Sequence, residues 1–359
     1  MAQQFRTTFT IVNKNVLHWF PGHMAKGLKQ MQDKLKGVDC IIEVHDARIP
    51  LSGRNPNFKF TISGVRPHIL VLNKRDLAGK DLERDTRSRL LQDGNEHVLF
   101  TSCKDQKCRG IKQIVPLATK LICASDRYNR SEEKELSIMV IGVPNVGKSS
   151  VINTLRNLRL RKASVAAVGA KPGITRAVQT RIKVNEDPPV YLLDTPGIVA
   201  PSIANVEAGL RLALCATLQD HLVGEEVIAD YLLYSLNKRK NFRYVDEMNL
   251  EEPVDDIRIV LATIAVKKNK MKRVRDSSNQ YLQVPDLRAA SYHFIRAFRE
   301  GKLAERSHIQ RQEGRQGKSL MSTPHLRHPF SSQESTIHLQ FPSTVTVGDQ
   351  SSRMNDDET

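Results

Sequence analysis

Short apolar runs recur through roughly the first 200 residues, and stretches whose apolar positions have helical spacing separate them. Continuous apolar runs of this kind predict buried strands, whereas apolar residues three and four positions apart predict amphipathic helices. Strands that alternate with helices predict an α/β protein with a mostly parallel sheet covered on both faces. The predicted strands are 38–44, 68–76, 98–102, 138–141, 178–184 and 190–194, and the predicted helices are 24–36, 81–92, 111–123 and 149–158.

The pattern changes after Ala200, where helical periodicity continues and no strand is predicted. We therefore expect a helical domain to follow the α/β domain. The chain from residue 301 onward is rich in Ser, Gln, His and Arg and has little periodicity, which predicts a disordered tail. The predicted later helices are 202–218, 225–238, 251–266 and 286–300. The predicted division of the chain is a leader (1–18), an α/β domain (19–201), a helical domain (202–300) and a tail (301–359).

The chain carries a formal net charge of +16, which favours a polyanionic partner. The tail contains seven Lys or Arg and seven Asp or Glu, so the whole excess lies in residues 1–300. This favours a nucleic-acid-binding surface over a charge that serves only solubility. Aromatic residues make up 5% of the chain, which argues against base stacking as the main mode of binding. The candidate RNA-contact clusters are Arg156–Lys162, Lys238–Arg243 and Lys267–Arg275, although charge runs are often only solvated faces.

Three further features concern the compartment. No apolar run approaches the roughly 18 residues of a membrane span, so no span is expected. The five cysteines are scattered, odd in number and without a CxxC pair, which favours a reducing compartment over a disulfide framework or a zinc site. The first 18 residues contain no acidic residue, a composition typical of a weak mitochondrial presequence and equally compatible with an ordinary basic leader.

The clearest chemical signal follows the strand at 138–141, where the sequence reads GVPNVGKSS (142–150). A glycine-rich turn between a buried strand and a helix is the phosphate-loop pattern, in which backbone N–H groups and the helix dipole meet an anion. Lys148 adds a charge at the β- and γ-phosphates, and Ser149 adds a hydroxyl for Mg²⁺. The alternative, a chance match, conflicts with the flanking strand and helix. The loop residues predicted to bind nucleotide are Asn145, Val146, Gly147, Lys148, Ser149 and Ser150.

The motif NKRD (73–76), at the end of the second predicted strand, indicates which base is bound. The carboxylate of Asp76 can accept from N1–H and from the exocyclic amino group of guanine, and adenine has neither donor at those positions. Asn73 would brace the loop, and the stem of Lys74 would cover the ring. An ATP-dependent enzyme conflicts with this motif.

Three further segments complete the predicted nucleotide site. DTPG (194–197) ends the last strand, where a carboxylate can hold Mg²⁺ through water and a glycine N–H can meet the γ-phosphate. TSC (101–103) ends the strand after the base motif, where a backbone N–H can meet guanine O6. PGIT (172–175) offers either a switch threonine for Mg²⁺ and the γ-phosphate or an ordinary loop threonine. The residues in these roles are Thr101, Ser102, Cys103, Thr175, Asp194 and Gly197.

The order of the motifs is distinctive, because the base motif precedes the phosphate loop, whereas Ras-like proteins usually place the phosphate loop first. The segments WFPGHMAKG, DARIP, NKRD, GVPNVGKSS, PGITR and DTPGI follow one another along the chain. In this the chain resembles the circularly permuted ribosome-assembly GTPases of the YlqF/RbgA family, over about residues 18–300. The resemblance implies a Ras-like P-loop G domain in circularly permuted order over 19–201, followed by a helical C-terminal domain.

The same resemblance implies what the protein does. It implies binding of GTP and GDP with Mg²⁺, GTP hydrolysis stimulated by the ribosome, and association of a monomer with the large ribosomal subunit and its rRNA. Within the family the chain is most similar to the mitochondrial members of animals, which implies the mitochondrial matrix and peripheral contact with the inner membrane. The alternative is a GTP-binding ribosome scaffold with negligible turnover.

The catalytic apparatus departs from that of ordinary Ras-like enzymes, which carry a glutamine after DTPG where this chain has Ile198. The resemblance implies an apolar residue there, K⁺ coordinated at Asn145 to offset charge between the phosphates, and His23 to position water. A lone histidine is often structural, which leaves the role of His23 open. The predicted catalytic residues are His23, Asn145, Lys148, Thr175 and Ile198.

Overall fold

A central sheet organises the first part of the chain. Its strands are β1 (Cys40–Asp46), β2 (His68–Asn73), β3 (Val98–Phe100), β4 (Leu136–Ile141), β5 (Arg181–Asn185) and β6 (Val190–Asp194). They lie in the order β3-β2-β1-β4-β6-β5. All neighbours are parallel except β5, which pairs antiparallel with β6. The predicted α/β fold with a mostly parallel sheet is therefore confirmed.

The computed structural model describes residues 5–10, 29–52, 66–79, 82–105, 107–127, 130–161, 166, 181–198, 206–275 and 279–304. These residues belong to one compact unit, Met1–Gln310. The predicted boundaries between leader, domains and tail stay a prediction.

Strands β1 and β4 are buried along their whole length, as expected for the inner strands of a parallel sheet that is covered on both faces. The buried polar side chains in β1 have partners. Glu43 contacts His45 Nε2 at 2.7 Å and His68 Nε2 at 2.9 Å through its two carboxylate oxygens. Burial without such partners would be costly.

Three helices cover the sheet: α1 (Leu82–Gln92), α2 (Arg109–Cys123) and α3 (Lys148–Leu160). Helix α1 packs against β3, α2 against β1 and β3, and α3 against β5 and β6. Residues 29–34 are also helical, within the helix predicted at 24–36. Each helix lies where apolar spacing predicted one, and α2 buries its apolar stripe of Ile111, Ile114, Ala118 and Ile122.

The later part of the described chain is mainly helical. Its helices are α4 (Val206–Leu214), α5 (Asp220–Val223), α6 (Glu225–Lys238), α7 (Arg243–Met248), α8 (Ile257–Lys267) and α9 (Leu287–Arg299). Helix α6 is central and packs against α4, α5, α8 and α9. The helix predicted from residue 251 begins instead at Ile257, because the Asp256 carboxylate accepts the Arg258 N–H at 2.8 Å and caps it there.

The prediction that no strand follows Ala200 is wrong. Two strands, β7 (Met271–Arg275) and β8 (Tyr281–Pro285), form an antiparallel hairpin between α8 and α9. Most of their residues are exposed. Because neither face of the hairpin is buried, its sequence lacks the alternation of apolar and polar residues that predicts a strand. The basic cluster Lys267–Arg275 therefore lies mostly on this ribbon.

Both ends of the described chain pack on the helices. Within the predicted leader, Arg6 pairs with Asp230 at 2.7 Å, and the Phe9 ring lies 5.4 Å from that of Tyr231. Leu303, within the predicted tail, is buried. No helix in the described part of the chain has the length and apolar character needed to cross a membrane.

Candidate functional site

The carboxyl ends of the parallel strands meet at one edge of the sheet. Asp46 at the end of β1 pairs in register with Asn73 at the end of β2, and Val140 in β4 pairs with Asp194 at the end of β6. The chain continues from β1 to β2 and β3 on one side, while β4 and β6 lie on the other. The strand order therefore reverses between β1 and β4, the position at which open α/β sheets bind ligands.

The loop from Gly142 to Gly147 connects β4 to α3 at this crevice. Gly142 has φ +142°, and a Cβ there would lie 2.2 Å from the Val44 carbonyl oxygen. Gly147 has φ +97°, and a Cβ there would lie 2.4 Å from Asn73 Nδ2. Only glycine combines these dihedrals with this clearance. The loop backbone can consequently turn its N–H groups toward one point at the N-terminus of α3.

The base motif is in direct contact with this loop. Asn73 Nδ2 donates to the Val146 carbonyl at 2.9 Å, and Lys74 Nζ donates to the Asn145 carbonyl. Asn73 is 2% exposed, so its bond is shielded from water. The structure thus brings together the two segments that the sequence predicts for base and phosphates.

The carboxylate of Asp76 lies beside the end of β3. Ser102 Oγ donates to its Oδ1 at 2.7 Å, and Lys104 Nζ lies 3.7 Å from its Oδ2. Lys104 is highly exposed, so this ion pair can open readily. The Thr101 N–H donates to the Leu72 carbonyl at 2.8 Å, so a backbone donor for the guanine base would have to come from Ser102 or Cys103, and this role stays a prediction.

Side chains of the same segment fix Asn73. Its Oδ1 accepts from Thr101 Oγ1 at 3.2 Å and from Cys103 Sγ at 3.3 Å. Burial raises the pKa of the Cys103 thiol to about 11, so the thiol keeps its proton near neutral pH and can donate. Asn73 is therefore oriented from the β3 side while it holds the phosphate loop.

Two oxygen ligands suited to Mg²⁺ are in direct contact on the β4–β6 side of the crevice. Ser149 Oγ donates to Asp194 Oδ2 at 2.7 Å. The other oxygen, Oδ1, is buried and has no hydrogen-bond partner among the described residues. Burial raises the pKa of Asp194, against the effects of Ser149 and Lys148. A hydroxyl and a carboxylate with an unsatisfied oxygen fit a hard cation that takes its remaining ligands from phosphate and water.

Lys148 is held inside the loop. Its Nζ donates to the carbonyls of Val143 at 2.9 Å and Gly142 at 3.2 Å. Burial lowers the pKa of Lys148 to about 8. An anionic phosphate beside the ammonium group would favour its charged form and raise that pKa again.

The DTPG segment lies against the phosphate loop. A Cβ on Gly197 would lie 2.5 Å from Pro144 Cα, and Ile198 N–H donates to the Gly142 carbonyl at 3.2 Å. The Ile198 side chain is fully buried in the main core. Its assignment as the residue replacing the usual glutamine stays a prediction.

Asn145 links the phosphate loop to the helical part of the protein. Its Nδ2 donates to the Ala216 carbonyl at 2.7 Å, in the turn after α4. Because the amide nitrogen faces a carbonyl, the amide oxygen is the atom that could coordinate K⁺. Of the other predicted site residues, Ser150 lies in the first turn of α3, and His23 and Thr175 lie outside the described residues.

Sequence reasoning missed the role of Asp46 and Arg48 in the DARIP segment. The Arg48 guanidinium donates to both Asp46 oxygens, at 2.9 and 2.7 Å, and Lys74 Nζ lies 3.0 Å from Asp46 Oδ2. Burial would raise the pKa of Asp46, but the charges of Lys74 and Arg48 hold it well below its usual range. This carboxylate positions the base-motif lysine. The available signal was an acid and a base two residues apart at a strand end.

The chain is similar to known GTPases. A family model described as a 50S ribosome-binding GTPase matches residues 137–274. Mitochondrial GTPase 1 of Aedes aegypti is 59% identical over 303 residues, which cover 84% of this chain and 96% of the relative. The chain belongs to this family of mitochondrial GTPases.

Further relatives extend this family. Mitochondrial ribosome-associated GTPase 1 of Ictalurus punctatus is 51% identical over 307 residues, or 85% of this chain and 96% of the relative. The solved structure of GNP-bound YlqF from T. maritima has a TM-score of 0.51 and 20% identity, and the match covers 78% of this chain and 95% of that one. At this identity the likeness concerns the fold alone.

The glycine clearance in this GTPase can be tested by Gly147→Ala. The new Cβ would meet Asn73 Nδ2 and force a left-handed dihedral on alanine, so GDP affinity should fall at least about 10-fold. Gly94→Ala is the matched control, because Gly94 also has a positive φ, +81°, but the Cβ of an alanine there would have no atom within 4 Å. Titration calorimetry measures both variants, with thermal unfolding as the check on folding. Equal GDP affinities would show that the close approach to Asn73 is dispensable.

The lowered pKa of Lys148 predicts a pH dependence for this GTPase. Above about pH 8 the free site loses the lysine proton, and GDP binding must restore it, so GDP affinity should decrease between about pH 7 and 9. Calorimetry at high pH should also detect proton uptake in buffers of different ionisation enthalpy. Lys148→Arg, whose charge does not titrate in this range, should remove the pH dependence. A wild-type affinity that is flat over this range would contradict the assignment.

Proposed function

We propose that this mitochondrial GTPase is an assembly factor of the large ribosomal subunit and that its nucleotide state controls its association with the subunit. The observation that carries the proposal is the contact of Asn73 and Lys74 with the phosphate loop, which unites a base-reading and a phosphate-binding element. The description of the matching family model and the ribosome-associated name of a relative support a ribosomal partner.

We infer that the G domain is circularly permuted. The matched family model begins at residue 137, just before the phosphate loop, whereas the base motif lies upstream at 73–76. In this order, the chain that leaves DTPG continues directly into α4. Rearrangement of DTPG on loss of the γ-phosphate would then pull on the helical C-terminal domain.

Contacts between the two parts support this coupling. Asn145 in the phosphate loop is bonded to Ala216. Arg48 Cζ lies 5.2 Å from the centroid of the Phe298 ring in α9. After α9, Gly301 lies so close to Leu77, which follows the base motif, that a Cβ would meet Leu77 Cδ2 at 2.5 Å. The helices therefore contact both the phosphate side and the base side of the site.

Hydrolysis in this proposal relies on positioning and charge. Asp76 selects guanine, Lys148 and the loop N–H groups hold the phosphates, and Ser149 with Asp194 would hold Mg²⁺. When bound, Mg²⁺ supplies positive charge that offsets the charge on the transferring phosphoryl group. Thr175 would contribute to the same site, K⁺ at Asn145 would add charge between the phosphates, and His23 would position water.

We further propose that the protein acts as a monomer in the mitochondrial matrix, contacts rRNA through its basic clusters and associates peripherally with the inner membrane. The second candidate function is a GTP-binding ribosome scaffold with negligible GTP hydrolysis. One observation favours this second candidate: Ile198, the described residue that directly follows DTPG, is apolar and buried, so its side chain offers no polar group to orient the attacking water.

One paired experiment tests the proposal. Sedimentation with purified mitochondrial large subunits should show affinity at least about 5-fold higher with a non-hydrolysable GTP analogue than with GDP. Asn145→Ala, which removes the bond to Ala216, should narrow this difference. Single-turnover GTP hydrolysis should accelerate when large subunits are added, and more in K⁺ than in Na⁺.

Each arm has its own contrary result. Equal subunit affinity with the analogue and with GDP would contradict nucleotide control. Hydrolysis that subunits do not accelerate would favour the scaffold. Equal rates in K⁺ and Na⁺ would remove the K⁺ role of Asn145 and leave the rest in place.

A further inference from the structure

The hairpin of β7 and β8 projects from the helical part of the protein. It is anchored at its base, where Asp286 N–H donates to the Lys270 carbonyl at 2.8 Å and the Asp286 carboxylate then caps α9. Beyond this base, residues 272–275 and 281–283 are exposed. A two-stranded ribbon is only marginally stable in water by itself. A ribbon exposed on both faces is therefore a surface that a partner can cover.

The pairing register divides the side chains of the hairpin between two faces. Residues directly opposite each other share a face, so Arg273 lies with Gln283 and Arg275 lies with Tyr281. We call this the basic face. The opposite face carries Lys272, Val274, Leu282 and Val284.

Positive charge is concentrated on the hairpin and on the helix end that leads to it. Six of the nine residues in Lys267–Arg275 are basic, and none is acidic. Within the part of the chain that the structure describes, no carboxylate forms an ion pair with any of the six. The charge also reaches α9, where burial, Lys268, Lys302 and Lys270 lower the pKa of His293. Unpaired cations at this density attract a polyanion.

Tyr281 gives the basic face a stacking platform. Arg275 Cζ lies 5.1 Å from the centroid of the Tyr281 ring, and Tyr281 is 66% exposed. The guanidinium thus orients the ring, which still presents most of its surface to solvent. Unpaired bases stack on tyrosine rings and guanidinium planes, whereas bases within a duplex are already stacked.

We propose that the basic face of this hairpin binds an unpaired segment of ribosomal RNA, with a base stacked on Tyr281 and phosphates held by Arg273 and Arg275. The proposal deepens the proposed function, on which it rests for the identity of the RNA. The low aromatic content of the chain agrees with it, because phosphate contacts dominate and one ring supplies the stacking.

Charge and geometry favour RNA over other occupants. An acidic protein surface would neutralise the cations. It would offer no planar group to stack on the exposed Tyr281 ring beside Arg275. A-form duplex RNA has a deep, narrow major groove that side chains cannot read, and its shallow minor groove offers 2′-hydroxyls and base edges but no unstacked base face for the Tyr281 ring. A looped or single strand offers phosphates and splayed bases together.

The test uses the full chain and a labelled RNA strand of about 12 nucleotides, both single-stranded and annealed to its complement. Tyr281→Ala should weaken single-strand binding on the order of 10-fold and leave duplex binding unchanged, and Tyr281→Phe should restore it. Arg273→Gln with Arg275→Gln should weaken the binding of both RNA forms. For the single strand it should lower the slope of log K against log salt by about 1.4, or about 0.7 for each of two contacts. Fluorescence anisotropy measures all variants.

The matched control is Lys112→Gln with Lys120→Gln, which removes two exposed charges from α2, remote in sequence from the hairpin. The proposal is overturned if the arginine pair behaves like this control, or if Tyr281→Ala binds the single strand as wild type does. It is also overturned if the hairpin variants bind RNA normally yet lose the large subunit, because the partner would then be a protein. A different outcome would contradict the assembly function instead. In that outcome the variants change RNA binding as expected, but the wild-type protein does not bind large subunits.

Discussion

The nucleotide site depends on the buried carboxamide of Asn73. Its nitrogen holds the phosphate loop through the Val146 carbonyl, while its oxygen accepts from Thr101 and Cys103 at the end of β3. One side chain thereby fixes the distance between the segment predicted to read the base and the segment predicted to bind the phosphates. Because the group is shielded from water, loss of the bond to the Val146 carbonyl would leave the buried amide nitrogen without this partner. The closeness of Gly147 to the same nitrogen follows from this requirement.

The same junction extends into the helices through three non-glycine residues with positive φ. Lys74 has φ 61°, Asn145 has φ 58° and Ala216 has φ 60°. They are connected in series, since Lys74 Nζ bonds the Asn145 carbonyl and Asn145 Nδ2 bonds the Ala216 carbonyl. Strained backbone of this kind persists only where its surroundings hold it, and it is common at switch regions. These two hydrogen bonds connect the base motif and the phosphate loop to the turn after α4.

Elements that leave a pattern in neighbouring residues could be predicted from the sequence. The phosphate loop and NKRD follow buried strands, so residue chemistry and strand ends together predicted that the two segments belong to one nucleotide site. Contacts between distant residues were not predictable, because neither Arg48 with Phe298 nor Asn145 with Ala216 leaves a pattern along the chain. The β7–β8 hairpin was missed for a different reason. Exposed strands have no buried face, and basic residues conceal their alternation.

The preference for guanine is the property to measure, because it is assigned to a single group, the carboxylate of Asp76. Affinities of wild type and Asp76→Asn should be measured for GTP and for xanthosine triphosphate, which carries a carbonyl where guanine has its amino group. An amide can donate to that carbonyl and cannot accept both guanine protons, so we expect Asp76→Asn to lose GTP affinity by at least about 100-fold and to prefer the xanthosine nucleotide. Undiminished GTP binding by Asp76→Asn would contradict the assignment of this crevice as a guanine-nucleotide site.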